Sequence, residues 1–294
     1  MNHPFRSSIK RGAGRGTALM LALAALACTL APASAQVRDS APSTLSGSRA
    51  LVIAHRGGAK ESTENTIGAF ERAIKIGADG IETDLRLTRD GVVIIYHDDR
   101  FGRVEGLPAA QRSRFVADMT YAELSQQALI PVGEDTGGRR VPTLNDLLAD
   151  VRSGLLNIEL KRVPQFDELV NKTIALLKDF RRLDRVVLEA PDLKTAEKLR
   201  STLGPRLRLQ INPGNDSTVP YEVAVDRVLK FKPHSLSVSY KKLSWEVVEL
   251  AHKAGVEVWV YTVDSPEIAR AMTSLGADAI KSDSPTLLLQ SLRR

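Results

Sequence analysis

The chain has 294 residues, 43% hydrophobic and 26% charged, an ordinary globular composition that supports one large domain or two small ones. Its formal net charge is +6, but Arg6, Lys10, Arg11 and Arg15 lie within the first 35 residues, which hold no Asp or Glu, and without them the charge is +2. A balance so close to neutral gives no support to a nucleic-acid-binding class.

Residues 1–35 run from those cations through an apolar stretch, Ala18 to Leu30, to the small-x-small triplet Ala33-Ser34-Ala35. That order reads as a secretory signal peptide cleaved before Gln36, so the protein is expected to be exported, to the periplasm or the medium. The apolar run is short for a membrane span. Cys28 follows Ala25-Leu26-Ala27, where an alanine replaces the usual leucine of a lipoprotein box, so lipid anchoring is not expected. Cleavage also removes the single cysteine, leaving neither disulfide nor thiolate chemistry. Residues 36–49, rich in Ser, Ala and Pro, read as a flexible lead-in, and 50–294 as a single domain.

An apolar run, Leu51 to Ala54, then stops at His55-Arg56-Gly57-Gly58. Ile67, Phe70, Ala73, Ile74 and Ile76 follow with the spacing of one helix face. Glu64 is assigned to the start of that helix, where a negative charge meets the positive dipole end, and Asn65 to its N-cap. In the strand Gly80 to Leu85, Glu82 and Asp84 are two apart and point the same way, about 7 Å apart along it. Asp90-Gly91 signals a hairpin into the run 92–97. A two-residue loop there pairs Arg89 with Val92 and Asp84 with His97; a looser turn undoes that register.

The connector 98–142 carries Arg100, Arg103, Arg112, Arg114, Arg139 and Arg140, which read as a solvated loop. Beyond it, apolar strands at 155–160, 185–189, 207–211, 235–239, 257–261 and 278–281 alternate with helical patterns such as Phe166 to Phe180, Tyr221 to Lys230 and Trp245 to Ala254. With strands 51–54 and 80–85 the units number eight, which matches a (β/α)8 TIM barrel carrying an extra hairpin strand and an inserted loop. No G-x-G-x-x-G follows the first strand, as an open dinucleotide-binding sheet would require.

In such a barrel the strand ends gather at one mouth. They bring His55 and Arg56, Glu82 and Asp84, Glu159 and Lys161, Glu189, Tyr261, Asp264 and Asp283 together. Glu82, Asp84 and Glu159 beside Arg56 and Lys161 form a hard-cation site next to an anion site, suited to Ca²⁺ or Mg²⁺ and a phosphate. Flanking histidines, His55 and His97, can move protons. His3, His234 and His252 have no motif around them.

These motifs resemble one family, the glycerophosphodiester phosphodiesterases. The ordered set is His55-Arg56-Gly57, Glu64-Asn65-Thr66, Glu82-Thr83-Asp84, Thr88-Arg89-Asp90-Gly91, His97-Asp98, Val141-Pro142-Thr143-Leu144, Asn157 to Lys161 and Gly276 to Ile280 with Asp283. The resemblance runs from about Leu51 to Pro285. It implies a barrel hydrolase that cuts glycerophosphodiesters to glycerol 3-phosphate and an alcohol. It further implies His55 and His97 as general acid and base, Glu82, Asp84 and Glu159 as metal ligands, and Arg56 and Lys161 as phosphate clamps. A neighbouring glycerol hydroxyl would attack phosphorus, and water would open the resulting cyclic phosphate. The sequence departs from the family at Thr63, Tyr261, Asp264 and Glu189-Ala190-Pro191, and after Arg103 it lacks the usual threonines, which leaves the leaving alcohol open.

A non-catalytic phosphodiester-binding barrel would need the histidine pair missing, and both are present. A lysophospholipase D or other phospholipid phosphodiesterase would suit an aromatic membrane-facing stripe, which 5% aromatic residues do not supply. The implied partner is thus a small glycerophosphodiester, with no nucleic acid and no stable membrane insertion; the oligomeric state is left open. Mass spectrometry of the exported protein should find an N-terminus at Gln36, and an intact Met1 would overturn the leader assignment.

Overall fold

The protein is described by a computed structural model covering residues 49–292, apart from 107, 134–137 and 181–182. The expected signal peptide, its cleavage site, Cys28 and the lead-in as far as residue 48 lie outside the described residues. The strands are β1 (Leu51–Ala54), β2 (Gly80–Leu87), β3 (Val93–Ile95), β4 (Leu155–Leu160), β5 (Val186–Ala190), β6 (Arg208–Ile211), β7 (Ser235–Ser239), β8 (Glu257–Tyr261) and β9 (Ala279–Ser282). All but β3 form a closed parallel ring in the order β1, β9, β8, β7, β6, β5, β4, β2, with β2 returning to β1. This is the expected (β/α)8 barrel; β3 is the expected extra strand, antiparallel to β2 and outside the ring.

The helices are α1 (Ile67–Lys75), α2 (Ala109–Arg112), α3 (Tyr121–Ser125), α4 (Leu144–Asp150), α5 (Phe166–Phe180), α6 (Leu193–Leu203), α7 (Tyr221–Phe231), α8 (Trp245–Lys253), α9 (Pro266–Leu275) and α10 (Pro285–Leu292). No helix among the described residues is long and apolar enough to cross a membrane.

Period-two alternation divides each ring strand between two environments. Val52, Ile81, Leu156, Leu188, Leu209, Leu236, Val258 and Ile280, one from each ring strand, are buried in the main apolar cluster with the surrounding helices. Inside the ring a second apolar cluster, Leu51, Ile53, Leu155, Val187, Trp259 and Ala279, fills the N-terminal half. Above it the inward positions turn polar: Asn157, Gln210, Ser235, Ser237 and Lys281 are all buried.

The hairpin differs from its predicted register by one residue. Leu85 pairs with Ile95 and Leu87 with Val93, and the Tyr96 N–H donates to the Asp84 carbonyl at 3.0 Å. Thr88 explains the slip. Its hydroxyl donates to Asp90 Oδ1 at 2.6 Å and accepts from the Val92 N–H at 2.9 Å, while the Gly91 N–H donates to the Thr88 carbonyl. The turn therefore holds Arg89, Asp90 and Gly91, with Gly91 at φ 76°, rather than two residues. A one-residue slip changes which side chains share a face, so Tyr96, not His97, sits opposite Asp84.

The long connector also differs from a solvated loop. Ile94, Tyr96, Phe101, Val104, Val116, Met119, Leu124, Leu129 and Val141 make a separate apolar cluster. Thr120 and Glu123 close a capping box at the start of α3, and isolated bridges join Arg100 to Phe115 and Val104 to Leu129. The segment is a small insertion with its own core, docked on β3.

Candidate active site

β1 ends in a tight turn in left-handed backbone conformation. Arg56 adopts φ 51° and Gly57 φ 83°. A Cβ on Gly57 would lie 2.8 Å from Ala69 Cβ, so glycine is needed where the turn presses on α1. The left-handed conformation turns the Arg56 N–H toward Glu82 Oε2, 3.0 Å away. His55 is held from the other side: its Nδ1 lies 2.6 Å from Asp283 Oδ1, just past β9.

His97 is anchored in the same manner. Its Nδ1 lies 2.8 Å from Asp98 Oδ1, and its carbonyl accepts both Nε (2.9 Å) and Nη2 (2.7 Å) of Arg86. With each Nδ1–H donating to a carboxylate, the two Nε2 atoms carry the lone pairs. Both rings line a cavity of ≈ 280 Å³, with Arg56, Glu82, Glu159, Lys161, Glu189, Asn212, Ser237, Tyr261, Thr262 and Lys281.

The carboxylates come together because parallel pairing sets Asp84 beside Glu159 and Glu159 beside Glu189. One oxygen from each of Glu82, Asp84 and Glu159 lies within 4.8 Å of the others. Asp84 Oδ1 is buried without a hydrogen bond of good geometry, its nearest charge being the Lys161 ammonium at 3.1 Å. An orphaned buried carboxylate oxygen facing two more carboxylates fits a hard divalent cation, and these three residues are the ones that would hold it.

Burial and mutual charge set the titration. Burial, then Asp84, raises Glu82. Burial, then Glu189, pushes Glu159 up to about 7. Asp84 goes the other way: burial opposes it, but Lys161, His97, Arg56 and a hydrogen bond from Asn65 outweigh burial and hold it well below the usual range. Burial also works against His55, yet Glu82 and Asp283 raise it. For His97 burial, aided by Lys161 and Arg56, prevails over Asp84 and Asp98 and lowers it.

The expected residues His55, Arg56, Glu82, Asp84, His97, Glu159 and Lys161 thus converge. Four assignments change. Asn65 is not the N-cap of α1; Thr66 is, accepting from the Ala69 N–H. Asn65 takes φ 58° instead, donating from Nδ2 to Asp84 Oδ2 (3.0 Å) and accepting from Thr83 Oγ1 (2.9 Å). Glu64 lies between Arg56, at 3.3 Å, and Arg103, at 2.7 Å, rather than serving the helix dipole. Asp264 does not face the carboxylates; it accepts from Ser282 Oγ and the Asp283 N–H, and pairs with Lys60. Arg103, though exposed, is not a free loop cation: it pairs with Glu64 and Asp98.

Sequence reasoning missed Arg86 and, above all, Lys281. This ammonium is 3% exposed, 2.8 Å from Glu189 Oε2, 2.8 Å from Gln210 Oε1 and 3.3 Å from Ser237 Oγ. A signal existed: a lysine at an inward position of a barrel strand, Ala279–Ser282, directly after Ala-Ile.

A family profile described as the glycerophosphoryl diester phosphodiesterase family matches residues 55–287. The chain belongs to this family. It is 32% identical to a glycerophosphodiester phosphodiesterase of Caldanaerobacter subterraneus over 250 residues, 84% of this chain and 99% of that one. It is 28% identical to human lysophospholipase D GDPD1 over 80% of this chain and 84% of that one. The crystal structure of a glycerophosphodiester phosphodiesterase from Thermotoga maritima superposes with TM-score 0.66 at 26% identity, covering 83% of this chain and 98% of that one.

Within this family member the Lys281–Glu189 pair is open to a direct stability test. Removing one partner of a buried pair strands the other charge, at a cost of about 3–5 kcal/mol. Lys281→Met should lower the unfolding free energy by that order in denaturant titration, and Lys281→Met/Glu189→Gln should recover most of it. A single variant as stable as wild type would show that the pair carries no structural role.

Proposed function

We propose that this chain hydrolyses glycerophosphodiesters to sn-glycerol 3-phosphate and an alcohol, with Glu82, Asp84 and Glu159 holding Ca²⁺ or Mg²⁺, Arg56 and Lys161 holding the phosphate, and His55 and His97 moving the protons. The observation that carries this reading is the pair of histidines, each fixed at Nδ1 by an aspartate, on the wall of the same small polar cavity as Glu82 and Glu159, which converge with the buried Asp84. The names of the relatives support the same substrate class. The leader-like residues 1–35 support export.

A phosphodiester has one negative charge and a poor alkoxide leaving group. One imidazole takes the proton from the neighbouring glycerol hydroxyl as its oxygen bonds to phosphorus; the other protonates the departing alcohol. Water then opens the cyclic phosphate with the two roles reversed, so both histidines end as they began. A bound divalent cation supplies charge neutralisation at the non-bridging oxygens. Arg56 and Lys161 orient the phosphate. His55 is raised chiefly against Glu82, whose charge a cation would offset, so the acid and base roles belong to the pair rather than to either ring.

Lysophospholipase D activity is the second reading, favoured by the human relative and by a groove of ≈ 340 Å³ in which Leu87, Phe115, Val116, Val163 and Pro164 are interleaved with Arg86, Asp99, Asp118 and Arg162. Activity on glycerophosphocholine against lysophosphatidylcholine separates the two.

Chelation should abolish activity, and re-addition of Ca²⁺ or Mg²⁺ should restore it. Glu82→Ala and Glu159→Ala should bind the cation more weakly by calorimetry with the fold retained. The Glu159 carboxyl, at about 7, must lose its proton to hold a cation, so affinity should rise with pH through that value. A variant with wild-type cation affinity removes its residue from the ligand set.

His55→Ala and His97→Ala should each lose roughly 10²–10⁴-fold in kcat on glycerophosphocholine. A p-nitrophenyl ester needs no proton on its leaving group. It should rescue whichever variant lacks the acid and leave the other impaired. If neither is rescued, the two-histidine assignment fails.

A further inference from the structure

Arg103 belongs to the insertion, yet its guanidinium grips two carboxylates that themselves contact Arg56 and His97 of the cavity wall. Nε lies 2.7 Å from Asp98 Oδ2 and Nη1 lies 2.7 Å from Glu64 Oε2. Each of those carboxylates has a second task. Asp98 Oδ1 holds His97 Nδ1 at 2.8 Å. Glu64 lies against Arg56, with Nη1 at 3.3 Å and 3.4 Å from its two oxygens. The result is one line of contacts, Arg56–Glu64–Arg103–Asp98–His97.

The insertion fixes the middle of that line. The Arg103 N–H donates to the Tyr96 hydroxyl at 3.1 Å, the Arg103 carbonyl accepts from Ile130, and the next residue, Val104, is fully buried in the insertion's core. Tyr96, Val104 and Leu129 belong to that same core. The backbone carrying Arg103 is therefore tied to the β3 side of the site.

We infer that Arg103 is a positioning residue that joins the phosphate-binding Arg56 to the proton-transferring His97, and that the insertion completes the active site through it. The inference rests on the roles proposed above for Arg56 and His97. Two nitrogens of one planar fork grip two different carboxylates, a task a lysine ammonium cannot reproduce with the same geometry. Without that grip, Asp98 loses the partner that orients it against His97, which lowers kcat. Glu64 then turns fully to Arg56 and competes with the phosphate, which raises KM.

Steady-state kinetics on glycerophosphocholine tests this. Arg103→Met should lower kcat about 10- to 100-fold, the usual scale for residues that orient a reacting group, and should raise KM. Arg103→Lys, which keeps the charge and carries the test should methionine unfold the insertion, should remain impaired. Adding Glu64→Gln to Arg103→Met should restore KM but not kcat. Adding Asp98→Asn should lower kcat no further than Asp98→Asn alone, because both act through one path. A merely structural arginine would give neither the KM recovery nor the non-additivity. Wild-type-like kinetics of Arg103→Met or Arg103→Lys, or multiplicative losses with Asp98→Asn, would overturn the inference while leaving the hydrolase reading intact. Inactive wild-type protein would instead overturn that reading.

Discussion

Four carboxylates crowd the C-terminal end of three neighbouring strands, and much of the interior is arranged around keeping them there. Asp84, Glu159 and Glu189 are side by side in register on β2, β4 and β5, with Glu82 on the same face of β2. Like charges this close in a barrel interior repel strongly and favour protonation. Glu82 and Glu159 respond that way, whereas Asp84 is kept ionised by the cations and by Asn65 around it. The counter-charges come from different levels: Lys161 at 2.9 Å from Glu159, Arg56 at the rim beside Asp84, and Lys281 in the polar layer beneath. The apolar plug under that layer, with Trp259 fully buried, closes the N-terminal half of the barrel to the polar groups above.

The two histidines arrive by unrelated routes. His55 follows β1 directly, and its aspartate comes from the far end of the chain. His97 follows β3, outside the ring, and its aspartate is the next residue. Both solutions fix the tautomer by giving Nδ1 a carboxylate acceptor. The buttressing extends outward. Asp283 is held through its own N–H by Asp264, which Lys60 neutralises, while Asp98 is held by Arg103. The site thus depends on loops as well as strand ends, and an insertion with its own apolar core ties down one of those loops.

The sequence alone determined the parts that are local. Apolar runs of strand length alternating with helix-period segments specify repeated βα units, and eight such units close into a barrel. Glu82 and Asp84 share a face because side chains alternate along any strand. His55, Arg56, Glu159 and Lys161 lie at run ends, which a parallel barrel must collect at one mouth. Those inferences need only period and position.

The tertiary structure decided what depends on partners distant in the chain. Asn65 reads as a cap from its local sequence, but Asp84 and Thr83 draw it into a left-handed conformation that supports the acidic cluster. The hairpin register turned on one hydroxyl, Thr88, whose two bonds made the turn three residues long. Arg103 is one of six arginines in a charged connector, and only folding of the insertion singles it out. Lys281 carries no motif; its meaning is set by Glu189, Gln210 and Ser237, which lie 92, 71 and 44 residues away. Local periodicity encodes where a side chain points, but which charge it will meet is fixed only when the ring closes.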